Sequence, residues 1–255
     1  MLLVIDIGNT NTVIGIFDND GELIKDWRIR TEKDTTEDEL SVLLTGLFAV
    51  ADIAFGDIEK AVISSVVPTV ERIYDAFCHK YLAISPTWVD ARTATNITID
   101  YANPAEVGAD RIVNAAAAYE KYRTNMIVVD FGTAITFDLI SNKGVYTGGV
   151  IAPGIGIAAE ALFKHASKLP RIDLLKAPDT LIGHDTVSSI KSGMIFGFAG
   201  LVDGIVNRIQ QTADTPYRVI ATGGLASLIA SVSETIEAVE TNLTLEGLRI
   251  IGLNY

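Results

Sequence analysis

The sequence predicts an α/β protein built from two copies of one unit with a cleft between them. Three observations carry that expectation. Short apolar strand segments alternate with helical segments along the whole chain. One sentence is written twice, as "LLVIDIGNTNTVIGIFD" at 2–18 and "MIVVDFGTAITFDLI" at 126–140. A third glycine turn, Thr222-Gly223-Gly224, ends a later apolar strand. Two three-strand starts, each followed by helices and strands in the order βββαβα, imply duplicated α/β halves. The expected division is 1–114 and 115–255, with a helix at 111–123 joining the halves.

In order, residues 2–7 and 11–17 read as strands, and "DNDG" at 18–21 turns the chain into a third strand near 22–30. Apolar residues at Leu40, Leu43, Leu44, Leu47 and Phe48 have helical spacing, and Thr36 three residues before Glu39 forms a capping box at the start of a helix over 36–52. "KAVISSVVP" is a strand stopped by Pro68. A helix follows at 69–82 and a short strand at 87–89. After a loop holding Asn96, Asn103 and Pro104, a helix begins near 109–111. The second half predicts strands at 126–130, 134–140 and 144–151, helices at 154–165, 187–212 and 224–231, a strand ending at Thr222-Gly223-Gly224, and a closing helix at 243–253.

Composition narrows the function classes. With 255 residues, 49% hydrophobic and 20% charged, the chain is long enough for two small domains and rich enough for a large core. Its uninterrupted apolar runs are short for a bilayer, and Asp6 interrupts the apolar start, so neither a membrane partner nor a signal peptide is expected, and the expected location is cytoplasmic. A formal net charge of −12 repels nucleic acid and anionic lipid. It leaves room for a phosphate ligand at a locally different site. The single cysteine, Cys78, excludes an internal disulfide and reads as a buried small apolar residue. His79, His165 and His184 have no metal spacing and no triad partner in view, so plain surface or core roles are expected.

The chemistry concentrates in the Asp-x-Gly turns. Asp6-Ile7-Gly8-Asn9-Thr10 and Asp130-Phe131-Gly132-Thr133-Ala134 fall between the first and second strands of each half. Glycine permits close approach of a ligand, and backbone N–H groups with Thr and Asn side chains can hold phosphate oxygens. A carboxylate beside a polyphosphate makes sense when a cation stands between them, and hard cations such as Mg²⁺ take oxygen ligands. No GxxxxGK[ST] loop occurs in the chain. Either turn alone could be an ordinary hairpin with Asp bonded to its own backbone.

"DIGNTNT", "SSVVP", "NPAEVGADRIVNAAAAY", "VDFGTAITFD", "GGVIAPG" and "SGMIFGFAGLVDG" together resemble type III pantothenate kinases, from residue 1 to about 255. The two Asp turns and the Gly-Gly turn resemble the phosphate and adenosine motifs of the wider acetate kinase, sugar kinase, Hsp70 and actin superfamily. The resemblance implies duplicated ribonuclease H-like (actin-like ATPase) domains with an interdomain cleft. It implies a kinase that moves the ATP γ-phosphate to the 4′-hydroxyl of pantothenate, the first step toward coenzyme A.

The same resemblance assigns residues. Asp110 is the general base and Arg111 supports it. Gly108, Ala109, Asp110, Arg111, Tyr101 and Thr186 contact pantothenate. Asp6, Ile7, Gly8, Asn9, Thr10, Asn11, Thr12, Val13 and Thr133 hold ATP. Asp6 organises Mg²⁺ through water, and Asp130 binds a monovalent cation, K⁺ or NH₄⁺. The loop "GGVIAPG" at 148–154 lines the nucleotide side. A homodimer is implied, for which the apolar helices at 187–212 and 111–123 are compatible faces. Read without the resemblance, Asp110 is equally a helix N-terminal carboxylate meeting the macrodipole, Arg111 a surface charge, Tyr101 a half-buried loop aromatic, and Thr186 a helix cap. Rival readings are a non-catalytic nucleotide-binding regulator, an actin-like polymer-forming ATPase, or another kinase or phosphatase of the superfamily.

Overall fold

A computed structural model describes residues 1–93 and 96–253, in two compact units. The first holds Met1–Lys121 together with the C-terminal helix, and the second holds Tyr122–Asn242. The expected boundary at 114/115 falls inside a helix, and the expectation that the C-terminal helix belongs with the second half is not what the packing gives. The last two residues of that expected half lie outside the described residues.

The first unit contains β1 (Leu2–Ile7), β2 (Asn11–Phe17), β3 (Leu23–Arg30), α1 (Glu37–Ala49), β4 (Lys60–Ser65), α2 (Pro68–Phe77), β5 (Thr87–Trp88), β6 (Thr98–Ile99) and α3 (Ala109–Tyr122). Its sheet runs β3-β2-β1-β4-β5. β1 lies antiparallel to β2 and parallel to β4, with Asp6 opposite Val13 on one side and Ser64 on the other. The capping box at Thr36 and Glu39 is present, with Glu39 N–H donating to Thr36 Oγ1 at 3.2 Å and Thr36 N–H to Glu39 Oε2 at 2.9 Å. The helix expected over 69–82 divides into α2 and a wider turn at Cys78–Leu82, closed by Ala83 in the left-handed region at φ 55°. Cys78 is buried, as expected.

Both faces of β1 are covered, which is why it reads as an unbroken apolar run rather than an alternating one. Leu3, Ile5 and Ile7 join Leu40, Leu44, Phe48, Val70 and Phe77 in one core. The opposite face meets the C-terminal helix α7 (Leu243–Leu253). A Cβ at Gly15 would touch Val4 and Leu245, and one at Gly252 would touch Val62 and Leu2. α7 also meets α3 with no room to spare: a Cβ at Gly247 would fall 2.2 Å from the Val113 carbonyl oxygen. Thr244 Oγ1 bonds Asn114 Oδ1 at 2.8 Å, Asn114 being almost fully buried. α3 is therefore fixed through α7 to the face of β1 that carries Asp6. Its buried run Ala115–Ala118 supplies the small side chains that such close packing needs.

The second unit contains β7 (Met126–Phe131), β8 (Ala134–Ile140), β9 (Val145–Pro153), α4 (Ile155–His165), α5 (Thr186–Thr212), β10 (Arg218–Gly223), α6 (Ala226–Ala230) and β11 (Ala238–Val239). Its strand order is β11-β10-β7-β8-β9. β7 repeats β1: antiparallel to the next strand, parallel to the later one, with Asp130 opposite Thr136 and Thr222. The two strands even share one burial pattern, with only the aspartate partly open. α4 and α5 fall where helices were expected at 154–165 and 187–212, so that two helices, not the one of the βββαβα order, lie between β9 and β10. α5 contributes Ile195, Ala199, Val202 and Val206 to a core with Ile127, Val129, Ile135 and Phe137. By length and composition α5 could cross a bilayer, the one such helix among the described residues.

The α3–α7 crossing gives a direct test. Gly247→Ala is expected to lower stability by about 1–3 kcal/mol, because the new methyl displaces a helix from backbone atoms. Gly46→Ala, on the open face of α1 where a Cβ meets nothing within 4 Å, is expected to raise it by about 0.5–1 kcal/mol. Urea denaturation of both variants measures the contrast.

Candidate functional site

In the first unit the site is assembled at the C-terminal ends of the parallel strands β1 and β4, where open α/β sheets present ligands. The turn Gly8–Thr10 leaves Asn9, Thr10 and Asn11 at the surface. It is pinned from behind by Thr31 at the end of β3. Thr31 N–H donates to the Thr10 carbonyl at 3.1 Å, and Thr31 Oγ1 donates to the Gly8 carbonyl at 2.7 Å. Thr12, fully buried, shares a 3.0 Å hydrogen bond with Thr31 Oγ1, so its hydroxyl braces the turn from the core side. Ile7 is also fully buried, which leaves its backbone as the part nearest a ligand.

Asp6 stands at the edge of the apolar face. Its Oδ1 accepts the Ser64 hydroxyl at 2.6 Å. Burial pushes its carboxyl up to about 6, the negative charge of Asp110 adds to the rise, and the Ser64 hydroxyl and the Arg28 guanidinium oppose it. Asp110 is the second residue of α3. Its Oδ1 accepts the Arg111 N–H at 2.8 Å, and burial raises its carboxyl above the usual range. Gly108 precedes it where a Cβ would lie 2.6 Å from Asp110 Oδ1 and 3.6 Å from Val66, so the entry to α3 passes close to the segment after β4. Arg111 is buried at 8% exposure. The structure thus brings together Asp6, Gly108, Ala109, Asp110 and Arg111, residues separated by a hundred positions of chain. Tyr101 lies in the loop before them, 37% exposed.

In the second unit, the turn Gly132–Thr133 is one residue shorter than its counterpart and is closed by Gly132 N–H donating to the Ala134 carbonyl at 3.0 Å. Two glycines pack against it. A Cβ at Gly154 would sit 2.2 Å from the Thr133 carbonyl oxygen, which puts the start of α4 directly at the turn. Gly154 caps that helix without a side-chain bond, and the first N–H groups of a helix attract anions. Gly223 has φ +94°, and a Cβ there would meet Asp130 Oδ1 at 2.5 Å and the Phe131 carbonyl oxygen at 2.7 Å. Asp130, Thr133, Gly154 and Gly223 are therefore one cluster.

Thr186 is not part of that cluster. It is the first residue of α5 after the N-cap Asp185, whose Oδ1 accepts the Ser188 N–H at 2.9 Å. It borders an open hollow with Gly183, His184, Asp185 and Ser189. His79 bonds the Asp75 carbonyl at 2.9 Å and Ser85 Oγ at 3.1 Å, a surface role as expected. Sequence reasoning did not single out Ser64 or Thr31. Ser64 opens the motif "SSVVP" at the end of the strand "KAVISS", which by itself assigns it no role; its place becomes informative once β4 is known to lie beside β1.

Asp6 carries a stability consequence. In the folded chain it holds its proton up to about pH 6, above its ordinary carboxylate value of 3.8. Folded protein therefore binds more protons than unfolded protein between those values, and stability falls as pH rises through that window. Without nucleotide or metal, Asp6→Asn is expected to be more stable than the parent by about 1–3 kcal/mol at neutral pH, the gain vanishing below about pH 4. Urea denaturation at both pH values checks the sign.

A family model described as "Type III pantothenate kinase" matches residues 2–208. A type III pantothenate kinase of Desulfosudis oleivorans is 69% identical over 252 residues, covering 99% of this chain and 98% of the relative. One of Desulfatibacillum aliphaticivorans is 59% identical over 251 residues, covering 98% and 97%. Among solved structures, the activator of the 2-hydroxyisocaproyl-CoA dehydratase from Clostridium difficile, with bound ADPNP, superimposes with TM-score 0.58 at 16% identity, covering 99% of this chain and 93% of that one. At that identity the likeness concerns the fold alone, which is the actin-like ATPase class.

Proposed function

The chain belongs to the type III pantothenate kinase family, and from that premise we propose how its own residues serve the reaction. The protein phosphorylates pantothenate with ATP on the 4′-hydroxyl, giving 4′-phosphopantothenate for coenzyme A biosynthesis. The observation that supports the residue assignment best is Asp110. It is a carboxylate raised by burial, set at the start of a buried helix, with a second raised carboxylate beside it. A carboxylate raised by burial is a stronger proton acceptor than a solvated one. Asp110 takes the proton of the 4′-hydroxyl as that oxygen attacks the γ-phosphorus.

Arg111 contributes a guanidinium fork suited to the pantothenate carboxylate or to the phosphoryl oxygens. Gly108 and Ala109 let the substrate approach the backbone before α3, and Tyr101 and Thr186 are further pantothenate contacts. In the first unit, the backbone N–H groups between Asp6 and Val13 and the exposed side chains of Asn9, Thr10 and Asn11 hold ATP phosphate oxygens, the buried Ile7 and Thr12 and the apolar Val13 contribute through their backbone, and Asp6 acts through the cation. In the second, Thr133 and the N-terminal N–H groups of α4 do the same.

Two cations fit the donors present. Among the described residues no group of three or more His, Cys, Asp or Glu is gathered for a metal. Asp6 offers oxygen only, which suits a Mg²⁺ that keeps waters and takes its remaining ligands from phosphate. Asp130 offers a carboxylate beside the Phe131 carbonyl, oxygen donors suited to K⁺ or NH₄⁺. When bound, these ions neutralise phosphate charge that two buried carboxylates would otherwise repel.

A cytoplasmic homodimer completes the reading. Gly193, Gly197 and Gly200 lie on one exposed face of α5, and a Cβ at each would meet nothing within 4 Å. Such a face admits a second helix closely, and a second copy of the chain is its occupant. Gly197→Arg is expected to convert the dimer to monomer, measured by light scattering.

The assay for the whole reading is ADP release with ATP and Mg²⁺. Release is expected to depend on pantothenate and to be faster in K⁺ than in Na⁺. Asp110→Asn is expected to lose about 10²–10⁴-fold in turnover while keeping its fold. Pantothenate-independent release would remove the acceptor assignment, equal rates in K⁺ and Na⁺ the Asp130 role, and near-normal turnover the Asp110 role.

A further inference from the structure

Ser64 is a fully buried polar residue with no part in the reading above. Its neighbours on the sheet explain its importance. β3, β2, β1 and β4 place Arg28, Val13, Asp6 and Ser64 in one row, each opposite the next. Cross-strand neighbours of a row share one face of the sheet. Arg28 is at the exposed end of the row and Ser64 at the buried end. The Ser64 hydroxyl donates to Asp6 Oδ1 at 2.6 Å, a short charge-assisted bond.

The second unit supplies an internal comparison. There the register places Thr222 opposite Asp130, where Ser64 stands opposite Asp6. Thr222 is also buried and also carries a hydroxyl. That hydroxyl donates to the Glu240 carbonyl at 2.7 Å, toward β11. The same position in the repeat thus holds a carboxylate in one unit and ties down a loop in the other. An oxygen placed merely to complete the sheet would not differ in this way.

We propose that Ser64 is a positioning residue for the Asp6 carboxylate: it fixes one carboxylate oxygen so that the other is presented to the hydrated Mg²⁺ of the bound nucleotide. A carboxylate on a single Cβ rotates about two torsions. The Ser64 bond removes that freedom before the ligand arrives, which lowers the ordering required on binding. Serine is suited to this place because its hydroxyl reaches Asp6 across one strand spacing. The inference rests on the reading of Asp6 as the Mg²⁺-organising residue.

The test measures ADP binding by calorimetry with Mg²⁺ and with EDTA, and the Mg²⁺ concentration for half-maximal turnover. In Ser64→Ala the ratio of ADP affinity with and without Mg²⁺ is expected to fall about tenfold, with a matching rise in the Mg²⁺ requirement, while KM for pantothenate stays within about twofold. Ser64→Thr, which restores the hydroxyl, is expected to recover most of the ratio. Ser64→Cys, which keeps the shape of the side chain with a larger atom and a weak donor, is expected to behave like Ser64→Ala and serves where the alanine variant does not fold. Asp6→Asn separates the two claims. A ratio that falls in Asp6→Asn but is unchanged in Ser64→Ala and Ser64→Cys overturns the role of Ser64 alone. A ratio unchanged in Asp6→Asn as well overturns the reading of Asp6 and the inference with it.

Discussion

Asp6 ends a strand whose preceding residues are sealed on both faces, and the arrangement of the first unit follows from accommodating its charge there. β1 is covered by α1 and α2 on one side and by α7 on the other, so desolvation raises the Asp6 carboxyl to about 6. Ionised at neutral pH, the group opposes folding rather than supporting it. It is retained against that cost by one hydroxyl bond from Ser64 and the field of Arg28, and it is placed near a second raised carboxylate, Asp110. A core optimised for stability would not put two carboxylates together in this way. The strain is concentrated at the cation and phosphate site proposed above, and functional sites are where proteins retain unfavourable local electrostatics.

Placement of Asp110 depends on chain far away in sequence. α3 is fixed by α7, which arrives from the C-terminus to join the first unit, and the contact is close because Gly247 meets the Val113 carbonyl without a side chain between them. Asn114, buried in α3, is bonded by Thr244. The distance between the Asp6 turn and the Asp110 helix is thus set by a third element that carries no reacting group. The repeat in the second unit uses the same sheet register for different ends. There Asp130 lies against Gly223, whose positive φ brings the end of β10 next to the carboxylate, and Gly154 brings the start of α4 to Thr133.

Strands were the most legible part of the sequence, because β1, β2, β7 and β8 combine apolar runs with tight turns at fixed places. The capping box at Thr36 was legible for the same reason: two residue types at one spacing specify one geometry. The duplicated Asp-x-Gly turns were visible as a pattern, and the resemblance gave them roles. Long-range placement was not legible. Nothing in the local spacing of 243–253 says that it returns to the first unit, since an apolar helix carries no address. The role of Ser64 was not legible even though it opens the motif "SSVVP", because its meaning comes from a neighbour on another strand, fifty-eight positions away. Thr12 belongs to the same class: its type suits a phosphate contact, yet its hydroxyl is committed to Thr31 inside the core.

The overall charge of −12 sharpens the question of how such a chain handles two anionic substrates. At physiological ionic strength the general field is screened within about 8 Å, so recognition is decided by groups in contact with the ligand. Among the described residues of the proposed site the basic side chains are Arg111, buried at the start of α3, and Arg28, at the open end of the Asp6 row; beside them stand neutral donors, the backbone N–H groups of two turns and one helix start with the side chains of Asn9, Thr10, Asn11 and Thr133. Set against Asp6, Asp110 and Asp130, this supply leaves the sites without a surplus of positive charge for a polyphosphate. On the reading proposed above, dissociable cations would make up the difference, and binding would require nucleotide and metal together rather than either alone.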